Sequence, residues 1–371
     1  MPLLVIAHDR FDPSGAKTAN ALIKYGRDPV VAVVDRQKAG RDAGEFLGPH
    51  GKGIPIVASV AEGLRFQPTA VAIGIAPVGG ALPEHWRGDL RTALGHGLPL
   101  ISGLHTFLGN DPELAALASR HGARIWDVRK HTRPHRIATA EGARVPALVV
   151  THVGTDCNSG KMTTAVELTQ EARARGLNAA FVATGQTGIM IGCDAGAPID
   201  AIVSDFVAGA VEEMVLECAR RGFNPIFVEG QGSITHPAYS GVTCGLLHGS
   251  FPDLLVMSDE PRREYFGAFG PAATVKVRKN SLPVEIDLNE RLTAPFTGAK
   301  VAALSLVTRG LSDADYQKEV ERAERETGVP AADVFRGGRG KLLDAVLAAA
   351  ERQGFLRNGQ WDFSRKLARG Q

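Results

Sequence analysis

At 371 residues the chain exceeds one ordinary domain and suits two of roughly 150–200 residues each. It is 44% apolar and 22% charged with 43 glycines, the composition of an ordinary soluble α/β enzyme. Its 42 basic and 40 acidic side chains leave a net charge of +2, which gives no footprint for nucleic acid or a membrane surface, and no apolar run approaches the roughly 20 residues of a membrane helix.

MPLLVIAHDRF has no basic segment ahead of its apolar run, so residues 3–7 are expected to be a buried strand and not part of a signal peptide. SGAKTANALIKYG follows as a helix, with Ser14 suited to cap its start and Gly26 its end. Further strands are expected at 29–35, 54–57, 69–77 and 99–103, the last leading into a helix that runs to about residue 120. Helices alternating with such hydrophobic strands mean a parallel, doubly wound sheet, so residues 1–128 are expected to form a Rossmann-like domain. Asp35 ends the second strand, where a dinucleotide fold holds its ribose acid. HDRFDPSGAKT stands where GxGxxG would be, which argues against a nicotinamide cofactor. Residues 129–146 are polar and rich in Arg and His, and are expected to be a linker.

ALVVTHVG (147–154) opens a second α/β domain, 147–371, whose pattern is largely helical from about residue 311. Within it RGGRGK (336–341) precedes a helix but follows no expected strand, so it reads as a turn and not as a second phosphate loop. Cysteines 157, 193, 218 and 244 show no CxxC spacing; free thiols in a reducing cytoplasm are expected.

Residues 154–164, GTDCNSGKMTT, are nearly a phosphate-binding loop. Five residues instead of four separate Gly154 from Gly160, and Met162 follows Lys161 where a hydroxyl would stand. A hydrophobic strand, a glycine-bounded turn and an amphipathic helix surround it, the context in which backbone N–H groups and a helix N-terminus converge on an anion. Gly154, Thr155, Asp156, Asn158, Ser159, Gly160, Lys161, Met162, Thr163 and Thr164 are therefore the candidate cofactor-binding residues. The plainer alternative is a strand–helix turn with a solvated Lys161.

Downstream, FVATGQTG (181–188) puts Gln186 and Thr187 in a Gly-rich turn after a strand, and PIFVEGQGS (225–233) ends a buried strand at Glu229, with Gln231 just beyond. A carboxylate there suits proton transfer or Mg²⁺. Asp194, Asp200 and Asp205 lie ahead of or inside a helix, with Asp205 preferred among them as a site residue or a cap. His236 follows the acidic strand on the side where open α/β sheets bind ligands. Arg262 and Arg263, and further on Lys276 and Arg278, are cations suited to carboxylates.

The lengthened gap resembles the loop of dethiobiotin synthetase and related amide-forming P-loop enzymes. The ordered set GTDCNSGKMTTAVEL, ATGQTGIMIG, SDFVAGAVE, VEGQGSITHPAYSGVT and SDEPRREYFG, preceded by GIAPVGGALPEHWR and GLPLISGLHTFLGND, is more specific. Together these stretches resemble a two-domain family, a Rossmann-like N-terminal domain followed by a P-loop NTPase-like domain. It was long of unknown function, and its characterised members are D-glutamate N-acetyltransferases. That resemblance spans nearly the whole chain and implies acetyl-CoA as co-substrate and D-glutamate as acceptor, in D-amino-acid catabolism. It brings no residue roles with it. Glu229 or His236, with Asp205 in reserve, is expected to take the amine proton, and Gln186, Thr187, Gln231, Arg262 and Arg263 to bind substrate. No metal is needed for such chemistry. The dethiobiotin synthetase likeness implies instead an ATP- and Mg²⁺-dependent ligase or kinase, and a third reading is a nucleotide- or CoA-binding sensor. A homo-oligomer is expected.

Overall fold

The computed structural model describes every residue except 76–79, 81, 132, 133, 135, 270–272 and 369–371. It divides into two compact units, Met1–Thr132 with Gln186–Gly192, and Arg133–Gly185 with Cys193–Gln371.

In the first unit six parallel strands, β1 (Leu3–Ile6), β2 (Val30–Val34), β3 (Ile56–Val57), β4 (Ala70–Ile73), β5 (Leu100–Ser102) and β6 (Ile125–Asp127), lie in the order β3-β2-β1-β4-β5-β6. That order is the doubly wound arrangement of dinucleotide folds. The connecting helices are α1 (Lys17–Tyr25), α2 (Gly44–Leu47), α3 (Val60–Gly63), α4 (Arg87–Gly95) and α5 (Pro112–His121). Five of the strands fall in the expected runs; the end of the fourth run, 76 and 77, lies outside the described residues. The sixth was not expected, because three residues at a sheet edge, with Trp126 48% exposed, carry no alternation to read.

Ser14 is not the cap of α1. Its N–H and hydroxyl both donate to Asp12 Oδ1 (2.7 and 2.6 Å), and the helix begins after Ala16. Gly26 does end it, where a Cβ would stand 2.4 Å from the Leu22 carbonyl oxygen. The Asp35 carboxylate accepts from the Phe11 and Gln37 N–H groups and from Lys38, so its loop uses it.

In the second unit seven parallel strands form one sheet, β7 (Val149–Gly154), β8 (Ala180–Ala183), β9 (Ala195–Gly196), β10 (Ile226–Val228), β11 (Leu254–Asp259), β12 (Lys300–Leu306) and β13 (Ala331–Ala332). Their order is β13-β12-β11-β7-β10-β8-β9. The helices, continuing in chain order, are α6 (Lys161–Ala174), α7 (Gln186–Ile191, which belongs to the first unit), α8 (Ser204–Arg220), α9 (Ser240–Ser250), α10 (Leu282–Thr293), α11 (Asp313–Thr327) and α12 (Arg339–Arg352). A short hairpin, β14 (Leu356–Arg357) and β15 (Gln360–Trp361), and α13 (Ser364–Leu367) finish the chain.

Both faces of this sheet are dry. Val149, Val182, Ile226 and Val228 pack on Val211, Met214 and Val215 of α8 and Leu246 of α9. Val150, Phe227, Leu254 and Val256 pack on Leu168 of α6 and Leu342 and Val346 of α12. Because the strands are parallel and in register (Gly154 opposite Ser258, Thr151 opposite Val228), the C-terminal ends of β7, β10 and β11 meet at one edge.

The division differs from the expected boundary near 128 in two places. The expected linker is not free: Thr139 and Gly142 donate backbone N–H groups to the fully buried Glu212 of α8 (2.8 and 3.2 Å). α8 admits this segment at Gly209, where a Cβ would lie 1.9 Å from the Arg136 carbonyl oxygen. Gly209→Ala is therefore expected to destabilise the protein by about 1–3 kcal/mol, read as a lower urea midpoint at unchanged slope. The second difference is α7, which belongs to the first unit although it follows β8 in the chain. RGGRGK does follow a strand, the two-residue β13. Asp333, accepting from Phe335 N–H (2.8 Å), winds a 3₁₀ turn at Val334–Arg336, Gly337 and Gly338 complete the expected turn, and Arg339–Lys341 already belong to α12.

Candidate anion-binding site

The site is the C-terminal edge of the second sheet. β7 runs out at Gly154, where any Cβ would meet Ser159 Oγ at 2.5 Å, and the loop turns through Asn158 (φ +54°) and Gly160 (φ +99°). α6 then starts at Lys161, and its N-cap, Gly160, supplies no side-chain cap. The first N–H groups and the helix dipole point back into the loop. Lys161 is only 5% exposed, and its Nζ donates to the Asp156 carbonyl oxygen (2.6 Å) and to Ser159 Oγ (3.3 Å). The ammonium is thus folded over the loop and is not a solvated surface charge. Met162 is buried, Thr163 half-buried, and Thr164 Oγ1 bonds the Gly160 carbonyl oxygen (3.0 Å) and Ser305 Oγ (2.7 Å).

Two buried carboxylates flank the loop, each with its own cation. Asp156 Oδ2 accepts from Arg263 Nη1 and from the Gly267 N–H (both 2.8 Å), and Arg263 also reaches the Cys157 carbonyl oxygen (2.6 Å) and Glu260. Burial works against the Arg263 charge, but Asp156 and Glu260 outweigh it and keep the guanidinium firmly protonated. Asp259, at the end of β11, accepts from Thr155 Oγ1 (2.5 Å) and Lys279 Nζ (2.6 Å).

Mg²⁺ fits this donor set poorly. Asp156 and Asp259 are already neutralised by Arg263 and Lys279, Met162 replaces the usual hydroxyl, and Thr164 is committed to Ser305. Donor atoms of Asp156, Cys157 and His236 do lie within 4.8 Å of one another. The His236 tautomer argues against a softer cation there. The Ala238 N–H donates to Nδ1 (3.1 Å), so the proton sits on Nε2, which donates to the Gly267 carbonyl oxygen (2.8 Å). Nε2 therefore faces Asp156 with a proton and not a lone pair. For the same reason the ring is poorly set to be a base. His236 is fully buried among Tyr239, Phe266 and Phe269, and pins the 266–269 segment to the loop.

Glu229 closes the other side. Its Oε2 accepts from the Thr184 and Gly185 N–H groups (2.8 and 3.1 Å), its carbonyl oxygen from Thr184 Oγ1 (3.0 Å), and Gln231 Nε2 donates to the Thr184 carbonyl oxygen (2.5 Å). The ends of β8 and β10 are thereby stitched together. Gly230 packs so tightly that a Cβ would lie 1.8 Å from the His152 carbonyl oxygen and 2.9 Å from Lys161 Cδ. Beneath it His152 is fully buried; burial pushes its pKa down to about 4, and its Nδ1–H donates to the Val228 carbonyl oxygen (3.0 Å).

Gln186 and Thr187 belong to the first unit, where Gln186 Oε1 accepts from Arg129 (2.7 Å) and Thr187 meets Thr18 (3.0 Å). Asp205 is exposed in the first turn of α8, Asp194 pairs with Arg173 (2.6 Å), and Arg262 is exposed. Lys276 lies over the Tyr265 ring and Arg278 is exposed beside Glu264. In the 276–279 segment the cation that reaches the loop is Lys279. The segment 277–279 pairs as an extended strand with 264–266, so alternate residues face opposite ways, and counting by twos along VKVRKN separates Lys279 from Lys276 and Arg278.

The second unit is thus a P-loop α/β domain, joined in one chain to a Rossmann-like domain. Residues 36–131 match the domain of unknown function DUF1611_N, a Rossmann-like domain, and residues 136–343 match DUF1611_C, a P-loop domain. The chain belongs to this two-domain DUF1611 family. It is similar to a D-glutamate N-acetyltransferase of Tritonibacter scottomollicae (37% identity over 278 residues, 75% of this chain and 81% of that one). A D-glutamate N-acetyltransferase of a Pseudoalteromonas species is 32% identical over 293 residues, 78% and 83% of the two chains. The crystal structure of a DUF1611 family protein from Anabaena variabilis superposes with a TM-score of 0.87 at 37% identity, covering 94% of this chain and 99% of that one. Among the described residues no helix is long and apolar enough to cross a membrane.

Proposed function

We propose that the protein is an acyltransferase that moves the acetyl group of acetyl-CoA to the amine of D-glutamate. The observation that carries this reading is the loop itself: a buried Lys161 ammonium lies over the loop at the N-terminus of α6, and the acids beside it are already neutralised. Such a site favours a phosphate-bearing ligand without requiring a metal. Two relatives carrying the name D-glutamate N-acetyltransferase supply the reaction and the acceptor.

In this reading the loop grips the phosphates of CoA. Its pantetheine arm holds the thioester away from them, so the arm bends back along the strand ends to bring the carbonyl toward Glu229. The fixed Glu229 carboxylate receives the acceptor ammonium. Once the ammonium has lost a proton, the amine attacks the thioester carbon. In this reading backbone N–H groups of the segment 230–233 stabilise the oxyanion, and the C–S bond breaks to release CoA.

The test is thiol release from acetyl-CoA, assayed with D-glutamate, L-glutamate and other amino acids in the absence of ATP and Mg²⁺. Release that depends on D-glutamate is expected. Silence there, with phosphate release once ATP and Mg²⁺ are added, would replace this reading with the ligase or kinase one.

A further inference from the structure

Glu285 lies in the first turn of α10 and is fully buried. Its Oε1 accepts from Thr235 Oγ1 (2.6 Å) and Asn280 Nδ2 (2.9 Å). Since the Thr235 hydroxyl donates to Glu285, the Ser233 hydroxyl donates to Thr235 Oγ1 (3.1 Å). Ser233, fully buried four residues beyond Glu229, thus begins a continuous chain of hydroxyls that stops on a carboxyl group. At that end two acceptors stand one helical turn apart on α10, Glu285 Oε2 and Asn289 Oδ1, and both lack a hydrogen-bond partner among the described residues. A buried acceptor without a donor is costly, and a proton on the carboxyl group relieves the cost.

We propose that Glu285 is the residue that receives the proton of the acceptor ammonium, relayed by Ser233 and Thr235. The inference rests on the acetyl-transfer reading and assigns that reaction its proton sink. The ammonium N–H bond breaks and its proton passes to Ser233 Oγ. The Ser233 proton moves to Thr235 Oγ1, and the Thr235 proton to the Glu285 carboxylate; each hydroxyl ends neutral, and the amine is left with a free electron pair. As the C–S bond breaks, the nitrogen gives up its second proton to the departing CoA thiolate, and the proton held on Glu285 returns to solvent. Glu229 does not serve as well, because two backbone N–H groups hold one of its oxygens in an arrangement suited to a fixed negative charge. Burial pushes the Glu285 pKa up, opposed by the hydrogen bonds of Thr235 and Asn280 and by the charge of Lys279, with Asp259 adding to the rise. Glu285 acts through other side chains and is a positioning and proton-holding residue, not one that touches substrate.

The experiment compares kcat/KM for D-glutamate across pH in the wild type, Glu285→Gln and Thr235→Val, with acetyl-CoA affinity measured in each. Glutamine keeps the volume of the protonated acid but takes no proton, and valine removes the middle hydroxyl. Each variant is expected to lose roughly tenfold or more in kcat at neutral pH with donor affinity unchanged. The ratio of wild type to Glu285→Gln cancels the titration of the amine, which both share. That ratio should grow as pH rises through the ionisation of Glu285 and then level off. A bracing role would lower the rate by one factor at every pH, and that result would overturn the proposal. So would an active wild type with Glu285→Gln within about twofold of it throughout. Should Glu285→Gln fail to fold, Thr235→Val decides on the same criteria. A wild type silent toward D-glutamate removes the acetyl-transfer reading and the relay with it, whereas an active wild type with active variants removes the relay alone.

Discussion

Glu229→Gln is expected to lower kcat/KM for D-glutamate by about a hundredfold and to leave acetyl-CoA binding within about twofold of the wild type. The substitution isolates charge from shape. The Thr184 and Gly185 N–H groups that hold Oε2 can hold the amide oxygen equally well, so the stitch between β8 and β10 survives. What disappears is the negative charge facing the acceptor ammonium. A hydrogen bond to a charged partner contributes about 1.5–3 kcal/mol, which sets the size of the expected loss. The phosphate loop lies on the neighbouring strand and keeps Lys161, Ser159 and the helix N-terminus, hence the unchanged donor affinity. Isothermal titration with CoA beside steady-state kinetics with D-glutamate separates the two effects. A variant that turns over D-glutamate normally would remove Glu229 from the acceptor site. One that loses CoA binding instead would move it to the donor site.

Residues that act with their sequence neighbours were legible from sequence; those joined by long separations were not. The hydrophobic runs at 3–7, 29–35 and 147–154 announce β1, β2 and β7, because parallel strands buried on both faces need unbroken apolar stretches. β9 and β13 have two residues each, too short to show a period. β12, KVAALSL, is as hydrophobic as its neighbours, yet it stands outside the expected strands although its sequence carries the same signal. The loop was readable for a related reason: strand, turn, lysine and helix follow one another within 154–174. Lys279 bonds Thr155 across 124 residues, and Thr235 bonds Glu285 across 50, and nothing in either local sequence marks those contacts. His236 was legible by position but not by role, since its tautomer depends on the Ala238 N–H in its own turn. Gln186 and Thr187 follow β8 directly, so sequence order suggests the P-loop domain. Their packing against Arg129 and Thr18 puts them with the first unit.

Lys161→Ala is expected to raise the apparent KM and the Kd for acetyl-CoA by about 10–100-fold, the equivalent of one charge-assisted hydrogen bond of about 1.5–3 kcal/mol. The structure gives a reason to expect a value toward the upper end. Lys161 Nζ is already held over the loop by the Asp156 carbonyl oxygen and Ser159 Oγ, so an anion meets an ordered ammonium and little side-chain entropy remains to be lost on binding. Lys161→Arg should not restore affinity. The aliphatic stem runs close to Gly230, where a Cβ would come within 2.9 Å of Lys161 Cδ, and a planar guanidinium is not accommodated as a compact ammonium is. The effect should also be confined to the donor. If Lys161→Ala left acetyl-CoA affinity intact but raised the KM for D-glutamate, the anion on the loop would be an acceptor carboxylate. The donor phosphates would then have to be sought elsewhere on the strand-end edge. If neither constant moved, the inward-folded lysine would serve only to brace the turn between Asp156 and Ser159, and the loop would have no part in binding either substrate.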